Sequence, residues 1–189
     1  MIIAYHAVFS AYGFWLPNDP RGSWSDFVGS WELLRFGPAT KVETRRSVAA
    51  RPHNARLREA TKKALKFPPV IWTESQILVI GRGFHKAVDE SNYQIHACAI
   101  LPEHVHVVMA RHERKIERMV GHLKTRATQQ LVDTESWPGP DRPVWAEGCW
   151  KVFIDDVEHL QKAIAYVEGN PAKEGRPAQS WAFVVPYIV

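Results

Sequence analysis

Residues 2–12, IIAYHAVFSAY, are β-rich and roughly alternate, the period-two pattern of a strand with one buried face. GFWLPNDPRGSW then breaks the pattern with Pro17, Pro20 and turn-forming residues, and a long irregular insertion follows. From Thr73 the period changes. Thr73 and Gln76 form a capping box, and Ile77, Ile80, Phe84 and Val88 recur at three- and four-residue intervals, which predicts a helix. YQIHACAIL at 93–101 predicts a strand, PEH a short turn, and VHVVMA a second strand paired with the first as a hairpin. Ile116, Met119, Val120, Leu123, Ala127 and Leu131 mark an amphipathic helix whose other face carries Arg118, His122 and Arg126. Prolines 138, 140 and 143 end it, VWAEGCWKVFI reads as a further strand, and Asp155 with Glu158 caps a last helix.

The order is therefore strand, insertion, helix, strand, strand, helix, strand, helix. That order fits an α+β, ferredoxin-like antiparallel sheet with helices on one face and a further helix at the C-terminal end. One sheet face is left for function. With 189 residues and 46% apolar content the chain fits one domain, 1–189, carrying an insertion at about 13–70. The opening MIIAYHAVF has neither a basic n-region nor a long apolar run, so we expect a cytoplasmic protein that neither crosses nor enters a membrane. Cys98 and Cys149 stand far apart with no Cys-x-x-Cys pair, which argues against a disulfide framework or a thiolate zinc site.

Charge changes the picture of the insertion. The net charge is only +4, but residues 35–66 hold ten Lys/Arg, Arg45 and Arg46 among them, against Glu43 and Glu59. A basic stretch of this density suits a polyanion partner, or else a solvated loop and helix face. Phe14, Trp15, Trp24, Phe27 and Trp31 precede it. They could stack exposed bases beside phosphate contacts, or form a small aromatic core that holds the loop.

The strand in LPEHVHVVMA gives one face to His104, His106 and Val108, while Val105, Val107 and Met109 take the other. Alternate residues on a strand lie about 7 Å apart, close enough for two imidazoles to reach one metal ion. With nine histidines in the chain, a chance pair is the competing account. The last helix carries a stripe from Val157, Leu160, Ile164 and Val167. At 100° per residue, Tyr166 points about 140° from the centre of that stripe, sharing a face with His159, Lys162 and Asn170. A surface tyrosine followed by an Asn cap is the simpler explanation of the helix alone. Taken together, the features suit phosphodiester chemistry. A tyrosine hydroxyl attacks a phosphate when a cation polarises it, and two imidazoles with one amide oxygen offer a partial shell for Mg²⁺ or Mn²⁺.

CAILPEHVHVVMA resembles the histidine-hydrophobe-histidine strand of the HUH single-tyrosine transposases. VWAEGCWKVFIDDVEHLQKAIAYVEGNPAKEG resembles their tyrosine helix, and the group most similar is that of the REP-associated tyrosine transposases. The likeness extends over about 93–175 and the N-terminal YHAVFSAYGFWLPNDPRG. It implies that Tyr166 is the nucleophile, that His104, His106 and Asn170 bind the metal, and that single-stranded or hairpin DNA is cleaved through a 5′-phosphotyrosine bond. Arg45, Arg46, Lys124, Arg126 and Trp15 are then the expected DNA-binding residues, in a monomer or homodimer working at the bacterial nucleoid. Glu103, where relatives commonly have asparagine, and AKEGR, where they tend to have VKAGL, are the departures. Two other functions compete: a catalytically silent domesticated protein that binds repetitive palindromes, and a zinc-dependent hydrolase. The hydrolase typically needs a (β/α)₈ chain of about 250 residues, which this element order does not supply.

Overall fold

In order along the chain the elements are β1 (Ala4–Ser10), α1 (Trp31–Leu34), α2 (Ala55–Lys63), α3 (Glu74–Ser91), β2 (Ile95–Ile100), β3 (His104–Ala110), α4 (Ile116–Asp133), β4 (Trp150–Ile154), α5 (Val157–Glu168) and α6 (Asn170–Lys173). The structure, a computed structural model, describes residues 1–14, 16, 31–37, 54–139 and 141–188. It forms two units, Met1–Ser10 with Ile71–Val189 and Ala11–Val70.

In the first unit the strands form one sheet in the order β2-β3-β1-β4, every neighbouring pair antiparallel. This is the ferredoxin-like arrangement, with α3 crossing from β1 to β2 and α4 from β3 to β4. The capping box forms as read: the Gln76 amide donates to Thr73 Oγ1, and Thr73 N donates to Gln76 Oε1. Asn92 ends α3 with φ 52°, a left-handed conformation that Asn tolerates better than most residues. Helices α3 and α4 approach closely because residue 83 is glycine; a Cβ there would overlap the Ala127 backbone. Together they cover the sheet face that carries Phe9, whose ring meets Phe84 of α3 and Trp145.

The opposite face carries Ala4, His6 and Val8 on β1, and His104, His106 and Val108 on β3. It is not left open. Leu160, Ala163 and Val167 of α5 pack on Ala4, Ala97, Ala99, Val108 and Ile154, where the three alanines allow the helix to approach. The helix needs this cover because an apolar stripe left in water forgoes its burial free energy.

Two boundaries differ from the expectation. The strand predicted over 144–154 is regular only from Trp150, because Gly148 adopts φ +67° and the chain before it bends to place Trp145 against Trp72. The α5 cap is Asp156 rather than Asp155, its carboxylate accepting from the His159 amide at 2.7 Å.

After α6 the chain returns along the β2 edge. The Gln179 side chain accepts from Ile100 N and donates to Ile100 O, both at 2.8 Å. Val185 N donates to Ile95 O at 2.8 Å, and His96 Nδ1 to Val185 O at 3.1 Å. Trp181 lies over Gly81, where any Cβ would overlap its ring, and stacks on Phe183.

In the second unit Val70 N donates to Tyr12 O at 2.9 Å, and Asn54 caps α2 by accepting from Leu57 N at 3.0 Å. Gly13 turns with φ +81° against Leu65 and Pro69. Among the described residues no helix is long and apolar enough to cross a membrane.

Candidate active site

The antiparallel register sets Val8 opposite His106 and Ser10 opposite His104, so His6 lies diagonally beside His106 on the same face. His6 Nε2 and His106 Nδ1 are 3.1 Å apart, and their rings meet end to end, centroids 5.4 Å apart and planes inclined by 28°. His104 meets His106 edge-on at 4.9 Å. The cluster sits beyond the end of the apolar patch that α5 covers, walled by Trp150 5.6 Å from His6.

Tyr166 closes the cluster. Its ring centroid lies 5.7 Å from that of His106 and 5.8 Å from that of His6. The helix has turned relative to the sequence expectation: Val157 is exposed and Ile164 only partly buried, while Ala163 joins Leu160 and Val167 in the core. With the stripe recentred on those three, Tyr166 is about 90° from it rather than 140°, at the flank where it reaches the strands. The residue is 45% exposed, so it remains open to a substrate. Lys173 of α6 holds its ammonium 4.0 Å from the Tyr166 ring centroid.

The electrostatics favour neutral imidazoles. Burial pushes His6 down to about 4, with His159 adding to the effect. His106 is held well below the ordinary histidine value by burial and by the neighbouring His104, His6 and Lys173. Neutral imidazole nitrogens are the form that ligates a cation. Burial pushes the Tyr166 phenol up, so without a cation it keeps its proton.

Asn170 begins α6, four residues after Tyr166, and is buried at 7% exposure. Its Nδ2 has no hydrogen-bond partner among the described residues. A buried amide in that position calls for a partner, and a carboxamide can turn to offer oxygen in place of nitrogen. Asp155, Asp156 and His159 bring ligand atoms within 4.8 Å of one another, but the acids are exposed and Asp156 already caps the helix.

The proposed DNA contacts are less concentrated. Trp15, Arg45 and Arg46 lie outside the described residues. Lys124 and Arg126 are on α4, which packs on the sheet face away from the histidines. Lys124 Nζ donates to Ala146 O at 2.8 Å and Gly148 O at 2.6 Å, above the Phe9 ring, and burial lowers it to about 8. Arg126 Nε donates to Glu90 Oε2 at 2.7 Å, a carboxylate oxygen that His122 shares. Glu103 occupies the turn just before β3.

His6 is the residue that reading the sequence missed. Its signal was present: it is the polar member of the Ala4, His6, Val8 face of a strand that the ferredoxin-like order pairs with the histidine strand.

No protein-family model matches the chain, and no curated protein matches it. Solved structures do. A REP-associated tyrosine transposase bound to a REP hairpin superposes with a TM-score of 0.50 at 14% identity, over 96% of this chain and 74% of that one. This chain has the fold of that transposase. A Deinococcus radiodurans R1 protein assigned as a transposase aligns over 95% of this chain and 94% of its own, at TM-score 0.39 and 10% identity.

Proposed function

We propose that the protein is a tyrosine transposase that cleaves and rejoins single-stranded or hairpin DNA through a 5′-phosphotyrosine intermediate. The observation that carries this reading is the Tyr166 ring against His106 and His6, a nucleophile beside neutral imidazoles within one chain. Held by His104, His106 and Asn170, a Mg²⁺ or Mn²⁺ ion would polarise the scissile phosphate and neutralise charge in the transition state. The buried amide of Asn170 and the depressed basicity of His106 suit such a ligand set.

Tyr166 Oη bonds to phosphorus as the bond from phosphorus to the 3′ oxygen breaks. The phenol proton passes to solvent, and the departing 3′ oxygen takes one up to become a 3′-OH. The 5′ phosphate remains esterified to Tyr166, so a 3′-OH can reverse the step without an external energy source. Lys173, beside the ring, supplies positive charge where the phosphate would lie. The basic stretch at 35–66 would hold the backbone, working at the nucleoid in the cytoplasm.

The test is incubation with a single-stranded hairpin DNA and Mn²⁺, followed by denaturing electrophoresis. An adduct that survives denaturation in the wild type and disappears in Tyr166→Phe is the expected result. Specific binding with no adduct in any metal would make the protein a silent binder of palindromes instead.

A further inference from the structure

Sequence and family likeness direct attention to His104 and His106, yet the ring of His106 is hydrogen-bonded to a third imidazole on a different strand. His6 Nε2 stands 3.1 Å from His106 Nδ1, and both residues are buried. Two roles for His6 fit that distance: a third ligand to the cation, or a partner that orients His106. Geometry separates them. Among the described residues, the trio whose ligand atoms all come within 4.8 Å of one another is Asp155, Asp156 and His159, and the three imidazoles do not form such a trio. Ligation by His6 Nε2 would need its lone pair turned to the cation, whereas that nitrogen already faces His106 Nδ1; the positioning role uses the contact as it stands.

The hydrogen bond has a direction with consequences. Two neutral imidazoles facing each other share one proton between them, so one ring donates and the other accepts. Were His6 the donor, His106 would accept at Nδ1 and carry its proton on Nε2, leaving no lone pair for a metal. Were His106 the donor, its Nε2 would be bare. Ligating histidines commonly donate their other ring N–H to a fixed acceptor, which sets both tautomer and ring orientation.

The geometry points to His6 as the positioning residue of the metal site: it accepts the proton of His106 Nδ1–H and thereby presents His106 Nε2 as the ligating nitrogen. This rests on the metal-dependent reading above. The His6 and His106 rings meet end to end with their planes only 28° apart, as a ring-to-ring hydrogen bond requires, and the Trp150 edge at 5.6 Å abuts His6, so the acceptor is held in place before any cation arrives. Tyr166, packed on both rings, is then located by the same pair that locates the ligand.

Ring ¹⁵N spectra of metal-free wild-type protein, assigned with His6 and His106 variants, read the tautomer directly. The expected result is a protonated Nδ1 and bare Nε2 on His106; a proton on Nε2 overturns the inference. Mn²⁺ titration by electron paramagnetic resonance supplies the second readout, with folding of each variant checked by circular dichroism. His106→Ala should abolish tight binding, and His6→Leu should weaken it about 10- to 100-fold. His6→Gln, whose Oε1 can still accept, should recover most of that loss. If His106→Ala loses Mn²⁺ while folded His6→Leu binds as tightly as wild type, the role of His6 is refuted and the metal site stands. If the wild type does not bind Mn²⁺, or His104→Ala and His106→Ala bind it unchanged, both fall together. Should His6→Leu fail to fold, the wild-type tautomer alone decides.

Discussion

Removing the acid stability gap of His6 is a quantitative test of the buried imidazole cluster. In the folded, metal-free protein burial lowers His6 from 6.5 to about 4, whereas the unfolded chain regains the ordinary value. Because the folded value is the lower one, the unfolded state binds more protons between pH 6.5 and 4. Stability is therefore full above pH 6.5 and falls as acid is added, levelling off below pH 4. Over the whole window the cost is about 3 kcal/mol, and at pH 5, before most carboxylates titrate, it is about 2 kcal/mol. For a chain of this length that corresponds to a melting shift of about 4–8 °C. The assay is denaturant unfolding in EDTA at pH 7.5 and pH 5, on wild type and His6→Gln. Other groups titrate in both proteins, so the difference between the two pH-dependent losses isolates His6 and its coupling to His106. Wild type should lose about 2 kcal/mol more than the variant. Equal losses, within about 0.5 kcal/mol, would show that His6 is not held neutral by burial, and the account of the cluster would fail.

Three further predictions concern the frame around the site. Gly83→Ala should destabilise the protein by about 1–3 kcal/mol, because its Cβ would meet the Ala127 backbone, which cannot swing aside; an unchanged melting temperature would count against the close α3–α4 crossing. Lys124→Met should lower stability by about 2–3 kcal/mol through the lost carbonyl bonds to Ala146 and Gly148, and should leave the salt dependence of DNA binding alone. A fall of about one in the slope of log K against log salt, with melting unaltered, would instead make Lys124 a phosphate contact. Asp156→Ala should cost about 1 kcal/mol by uncapping α5, with Asp155→Ala close to neutral in the same thermal melts, and equal effects would refute the assignment of the cap.

Features of local period were legible in the sequence. His104 and His106 declared a common face through strand alternation, and Thr73 with Gln76 declared a helix start, because each signal lies within a few residues of chain. His6 was not legible in the same way. Its meaning depends on β1 lying beside β3 in a particular register, a relation between residues 100 apart in sequence. The helix stripe was misjudged for a different reason. Val157, at the first turn, stays exposed, whereas small Ala163 is buried because the facing Ala97 and Ala99 let the helix come close. Trp145 looked like a strand residue by composition, but Gly148 and the aromatic pocket around Phe9, Trp72 and Phe84 took it out of the ladder. Lys124, an apparent surface cation on a helix, is occupied by carbonyls of a loop more than twenty residues downstream.

The chain that follows α6 has a mechanical consequence. By hydrogen bonding to Ile95 and Ile100 it acts as a clasp, so that α5 is tethered to one sheet at both ends, through β4 before it and through the β2 edge after it. Handing the tyrosine helix to a second copy would require unfastening the Gln179 and Val185 bonds and lifting Trp181 off Gly81. The clasp also occupies the edge on which another strand could add, and among the described residues the other border of the sheet is β4, with its half-exposed Phe153.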